Sequence, residues 1–198
     1  MKPYYEDESV VLYHGDARDV APHVHADAVI SDPPYPNNAG HFVEGIQAAV
    51  EVMGIFRAPH WLLFWHPLTT PPLNMPLVAR HAWHRTNTNR PDNYEAIYEF
   101  HTDGRERACR VLPFAVIHPK LTGCIEATGH PTQKNRKLMH RLVGMTSGTI
   151  FEPFAGSGST LIAAREMDRK AIGVEINEAY CELIVNRLAQ GDLFGGVA

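Results

Sequence analysis

A carboxylate, two prolines and an aromatic ring stand in a row at Asp32-Pro33-Pro34-Tyr35, directly behind the apolar run Ala28-Val29-Ile30. Each residue type offers something different at the mouth of a strand. Asp32 supplies acceptor oxygens. Pro34 has no N–H, which leaves the peptide before it stiff and commits the Pro33 carbonyl outward. Tyr35 presents a π face on which a planar ring can stack. Together they suit a planar group carrying N–H bonds. Taken alone, the same four residues also fit a Pro-Pro turn after a buried strand.

A second stretch, Phe151-Glu-Pro-Phe-Ala-Gly-Ser-Gly-Ser-Thr, ends an apolar run and opens a helical one. Gly156 and Gly158 mark a tight turn where a ligand can approach the backbone. Glu175 follows Gly156 by 19 residues, at the end of the next apolar run. An acidic side chain there is placed to accept hydrogen bonds from both hydroxyls of a ribose, so the pair describes a nucleoside-cofactor site. Leu161 stands where a dinucleotide fingerprint wants a third glycine, which weakens the case for NAD. No lysine follows the glycines, as a phosphate-binding loop requires.

The elements that must position these residues follow from periodicity. Strand-like runs occur at Val10–Tyr13, Asp27–Ile30, Trp61–Trp65, Val78–Arg85, Tyr94–Phe100, Gly148–Phe151 and Lys170–Val174. Helical spacing is found over Gly40–Met53, Asn135–Met145, Ser157–Met167 and Glu178–Gln190, as in Leu138, Leu142 and Met145. Strand then helix, repeated, predicts an α/β domain with a doubly wound, mostly parallel sheet covered on both faces. The stretches Pro67–Pro76 and Thr102–Arg110 have loop composition. Trp61, Trp65 and Trp83 fall on strands and are expected in the core.

With 198 residues, 44% of them hydrophobic and 20% charged, the chain suits one domain spanning residues 1–198. It has no run of about eighteen apolar residues and no signal-peptide pattern at its start, so a cytoplasmic location and no membrane contact are expected. Cys109, Cys124 and Cys181 are odd in number and lack a CxxC, which favours free thiols. The histidines, among them His60, His66, His81 and His84, match no metal-ligand spacing, and no metal is expected. The net charge is −4, yet residues 80–141 hold 11 Lys and Arg against 6 Asp and Glu. A local basic face can hold phosphates on an acidic protein, because screening limits distant charge to about 8–10 Å.

Three motifs, in this order, resemble the DNA amino-methyltransferases, which move a methyl group from S-adenosyl-L-methionine to an exocyclic base nitrogen. Asp32-Pro33-Pro34-Tyr35 is similar to the family's catalytic motif, and Phe151–Gly158 to its cofactor glycine motif. His130-Pro-Thr132-Gln-Lys134 is similar to the segment that helps hold the methionine end. Catalytic before cofactor is the beta arrangement, implying a Rossmann-like methyltransferase fold with circularly permuted motifs. Four positions depart from the pattern: Glu152 for Asp, Ser159 for Thr, Asn135 for Pro and Pro36 for Asn.

The resemblance implies catalytic roles for Asp32, Pro33, Pro34 and Tyr35. It implies cofactor contacts for Asp16, His130, Thr132, Lys134, Glu152, Phe154, Gly156, Gly158 and Glu175, with Asp16 on the adenosine. The chemistry agrees. An exocyclic amine is a poor nucleophile while its lone pair is delocalised into the ring, and acceptors on its two N–H bonds localise that pair. Such a base must be flipped out of double-stranded DNA to be reached. Target reading falls to a short insertion near 101–129, where Arg105, Arg107, Arg110 and Lys120 are candidate DNA contacts. So short a segment suits a short target, or a homodimer in which each protomer contributes contacts. Asp at position 32 favours N6-adenine over N4-cytosine within the family. A related methyltransferase acting on RNA or on a protein glutamine is the alternative outside it.

Overall fold

A computed structural model describes residues 1–34, 43–88, 93–117 and 133–194. In chain order the elements are β1 (Tyr5–Glu6), β2 (Val10–His14), α1 (Ala17–Val20), a 3-10 turn (Ala21–His23), β3 (Ala28–Ser31), α2 (Val43–Ile55), β4 (His60–Trp65) and β5 (Leu77–Arg85). There follow β6 (Tyr94–His101), β7 (Val111–Phe114), α3 (Arg136–Val143), β8 (Ile150–Glu152), α4 (Ser159–Arg165), β9 (Ala171–Glu175) and α5 (Glu178–Phe194). These strands form one nine-stranded sheet in the order β1-β2-β9-β8-β3-β4-β6-β5-β7.

Strands β2, β9, β8, β3 and β4 run parallel, which requires helical crossovers and so buries both faces. The side chains show it. All four residues of β3 and all six of β4 are buried. Along β4, Trp61, Leu63 and Trp65 face a core shared with Val52 and Met53 of α2, while Leu62 and Phe64 face the core beneath α3, α4 and α5. Strand β6 then returns antiparallel beside β4, with β5 antiparallel to β6. Trp61, Trp65 and Trp83 are core residues, 1–3% exposed.

Two strands were not expected from the sequence. Strand β1 has only two residues, and β7 carries Pro113 on the edge of the sheet, where a missing N–H is tolerated. Strand β7 lies in the segment expected to hold a recognition insertion, so residues 111–114 of that segment belong to the sheet. Residues 118–129 of it lie outside the described residues. Cys109 and Cys181 are free thiols.

The fold makes one crevice by topology. From β8 the chain passes through α4 to β9 on one side; from β3 it passes through α2 to β4 on the other. Chain direction around the sheet therefore reverses between β8 and β3. Ligands of such sheets bind outside the carboxyl ends of the strands at that point.

Candidate active site

Both motifs converge on that crevice, because Asp32 leaves β3 and Glu152 ends β8, its neighbour. Their strands are also tied directly. Ser31 Oγ donates to Glu152 Oε1 at 2.6 Å, Thr160 Oγ1 donates to Glu152 Oε2 at 2.8 Å, and the Phe154 N–H donates to Oε1 at 3.2 Å. Burial pushes the Glu152 carboxyl up to about 8 despite these donors, and the nearby Asp32 adds to the rise. Neither Ser31 nor Thr160 is conspicuous in the sequence. Their roles follow from strand adjacency.

Glu175 occupies the end of β9 with its carboxylate held by the backbone. The Gly156 N–H donates to Oε2 at 2.7 Å and the Asn177 N–H to Oε1 at 2.8 Å. Burial raises this carboxyl above the usual range, against the pull of those N–H groups. Each oxygen retains acceptor capacity toward a ligand. The two glycines divide their work. Gly156 (φ 53°) lies on the cavity wall, whereas Gly158 (φ 77°) does not. A Cβ on Gly158 would meet Ile184 Cγ1 of α5 at 2.7 Å, so this glycine serves helix packing and the left-handed turn into α4.

Asp16 caps α1 by accepting from the Arg18 N–H at 2.8 Å, and its carboxylate also takes the Arg18 guanidinium, Nη2 to Oδ2 at 2.6 Å. Those hydrogen bonds hold its carboxyl below the ordinary range. Arg18 continues to Glu51 of α2 at 3.2 Å. Asp16 thus reaches the cavity already paired.

Lys134, expected at the methionine end of the cofactor, lines the same cavity as Glu152 and Gly156. Its ammonium donates to Asp32 Oδ2, lies 3.5 Å from Glu95 Oε2, and sits 4.8 Å from the Phe64 ring centroid. A charge with only 11% exposure requires counter-charges, and β3 and β6 supply them. Asn135, the departure from the family pattern, accepts from the N–H groups of Lys137 and Leu138 and so caps α3, which fixes the entry of Lys134. Tyr35, Lys120, His130 and Thr132 lie outside the described residues.

One cavity of about 770 Å³ joins these groups: Asp16, Gly156 and Glu175 toward one end, Glu152 and Phe154 between, Asp32, Pro33 and Pro34 toward the other. Trp83, Arg85 and Glu95 line it as well, all unforeseen from the sequence. Residues 35–186 match the family model described as DNA methylase, of the N6 and N4 amino type. The chain belongs to that family. Relatives of this methylase include the type II methyltransferases M.ScaI of Streptomyces caespitosus, 26% identical over 94% of this chain and 84% of its own, and M2.LlaDCHI of Lactococcus lactis subsp. cremoris, 25% identical over 98% and 94%. Among solved structures, PvuII DNA methyltransferase (cytosine-N4-specific) has the same fold with a TM-score of 0.71 at 14% identity, covering 93% of this chain and 88% of that one. The M1.HpyAVI-SAM complex matches at 0.68 and 18%, covering 90% and 98%.

The arginines expected to contact DNA are not brought to the methylase cavity. Arg105 and Arg107 follow His101, which pairs with His60 at the opposite end of the sheet from Asp32. Arg107 Nη2 bonds Asp103 at 3.0 Å and Nε lies 3.4 Å from Glu99. Burial pushes Glu99 up, but hydrogen bonds from His60 and His81 outweigh it and hold the carboxyl at about 2. The Arg110 N–H donates to His81 Nδ1 at 3.1 Å. The antiparallel return of β6 carries this loop away.

Proposed function

We propose that this DNA methylase transfers methyl from S-adenosyl-L-methionine to N6 of adenine in double-stranded DNA, after flipping the base into the cavity. The observation that carries this is the single cavity running from Glu175 and Gly156 to Asp32 and Pro33. Glu175 accepts from the ribose hydroxyls, Glu152 receives the amino-acid ammonium, and Phe154 lines the wall between. When bound, S-adenosyl-L-methionine supplies an electrophilic methyl on a sulfonium sulfur. Asp32 and the Pro33 carbonyl accept the two N–H bonds of the target amine, and Tyr35 stacks on its ring. Pro34 packs against Gly45 of α2, where a Cβ would approach it to 2.9 Å, so the loop is held at its second proline.

Phosphate contacts belong to the basic stretch 80–141, with Arg85 on the cavity wall. Arg105, Arg107 and Arg110 contribute only for a duplex extending about 25 Å beyond the cavity, the length of an eight-residue strand. N4-methylcytosine is the second reading, because Asp32 and Pro33 serve either amine. Chromatography of nucleosides from treated DNA tests the choice. N6-methyladenine is the expected peak, and N4-methylcytosine alone would transfer the proposal to cytosine.

Glu152 makes cofactor binding pH-dependent. Burial pushes its carboxyl up to about 8, and an incoming ammonium favours the charged form. Binding near pH 7 is therefore expected to release protons, and the contribution of this group to affinity grows as pH rises toward 8. Calorimetry in buffers of different ionisation enthalpy should show that release, absent in Glu152→Gln. Heats independent of buffer in the parent protein would remove Glu152 from the ammonium site.

A further inference from the structure

Two carboxylates share the Lys134 ammonium. Besides donating to Asp32 Oδ2, it lies 3.5 Å from Glu95 Oε2, a buried oxygen with no hydrogen bond among the described residues. Arg85 holds Glu95 from the other side, Nη1 to Oε1 at 3.4 Å. Beneath the ammonium are the rings of Phe64 and Trp83, at 4.8 and 5.7 Å, set edge to face at 86°. The aromatic floor and the low exposure leave little water to screen these charges.

Methyl transfer makes two demands on Asp32. Before the step it must accept an N–H of the amine. As the amine nitrogen takes the methyl, the N–C bond forms, the S–C bond breaks with its electrons on sulfur, and the nitrogen becomes a cation carrying two N–H. One proton must then leave, and the Asp32 carboxylate takes it, which gives a neutral methylamino base and a neutral acid. A protonated Asp32 accepts the N–H only weakly and cannot take the proton.

The groups facing Asp32 from the described elements are Lys134 before α3, Glu95 on β6 and Glu152 on β8, with Arg85 of β5 acting through Glu95. Burial raises the Asp32 carboxyl above its ordinary range, Glu95 adds to the rise, and Lys134 opposes both.

We propose that Lys134 and Glu95 are positioning residues for methyl transfer: the ammonium fixes the Asp32 carboxylate in orientation and charge, and Glu95, by sharing it, leaves Asp32 basic enough to take the product proton. This rests on Asp32 being the acceptor for the target amine. Both residues act through Asp32 and neither touches the methyl group.

Single-turnover methylation against pH, with DNA and methyl donor saturating, tests the proposal in Lys134→Gln and Glu95→Gln. The acid limb moves to higher pH in Lys134→Gln, with the rate at pH 6 down about tenfold or more and recovering toward pH 9. It moves to lower pH in Glu95→Gln. Coincident limbs, or limbs moving the same way, overturn the proposal. A readout without turnover covers an inactive variant. Carbon-13 NMR titration of the Asp32 carboxyl in the ligand-free protein should give a higher midpoint in Lys134→Gln and a lower one in Glu95→Gln. Unchanged midpoints refute it. A parent protein that leaves DNA unmethylated defeats the role of Asp32 itself, a failure separate from the NMR result.

Discussion

Asp32→Ala is expected to reduce methyl transfer by about a hundredfold or more while leaving cofactor affinity within about twofold of the parent. The separation follows from where the side chain acts. Asp32 lies at the Pro33–Pro34 end of the cavity, and Glu175 and Gly156 lie at the other. Its acceptor role strengthens only as the amine becomes a nucleophile, so the loss falls on the chemical step. The fold should tolerate the change, because Lys134 keeps Glu95 as a counter-charge at 3.5 Å. Single-turnover rates and calorimetry on the same preparation decide the matter. A rate within a few-fold of the parent would end the assignment.

The opposite split is expected at the far end of the cavity. Glu175→Ala should weaken cofactor binding by about 1–3 kcal/mol, the cost of removing charge-assisted hydrogen bonds to ribose hydroxyls. Part of that loss comes from the protein alone, since the Gly156 and Asn177 N–H groups lose the acceptor that sets the turn. The rate at saturating cofactor should stay near that of the parent, because nothing at Asp32 changes. Unchanged affinity by calorimetry would remove Glu175 from the site.

What was legible in the sequence was local or repeated at short range. The turn at Gly156, the acidic end of β9 and the proline-stiffened exit of β3 are each written in fewer than ten consecutive residues, and the buried strands announce themselves by apolar runs. The parallel sheet followed from strand–helix alternation. What stayed hidden depends on which strands become neighbours. Ser31 and Glu152 are 121 residues apart and meet because β3 pairs with β8. Glu95 reaches the neighbourhood of Asp32 only because β6 returns antiparallel beside β4, the same return that carries Arg105 and Arg107 to the far end. Lys134 was placed by motif position, but its counter-charges, Asp32 just after β3 and Glu95 on β6, depend on strand order.

In the proposed reaction Asp32, at the end of a cofactor cavity, directs a methyl group onto an amine of DNA. The most direct measurement is transfer of labelled methyl from S-adenosyl-L-methionine to unmethylated duplex DNA by the parent protein and by Asp32→Ala, with cofactor binding confirmed in both. Label is expected in an exocyclic amino group of the DNA with the parent and almost none with the variant. Label in the DNA undiminished in Asp32→Ala, or DNA left unlabelled by a parent protein that binds the donor, would contradict the proposed reaction.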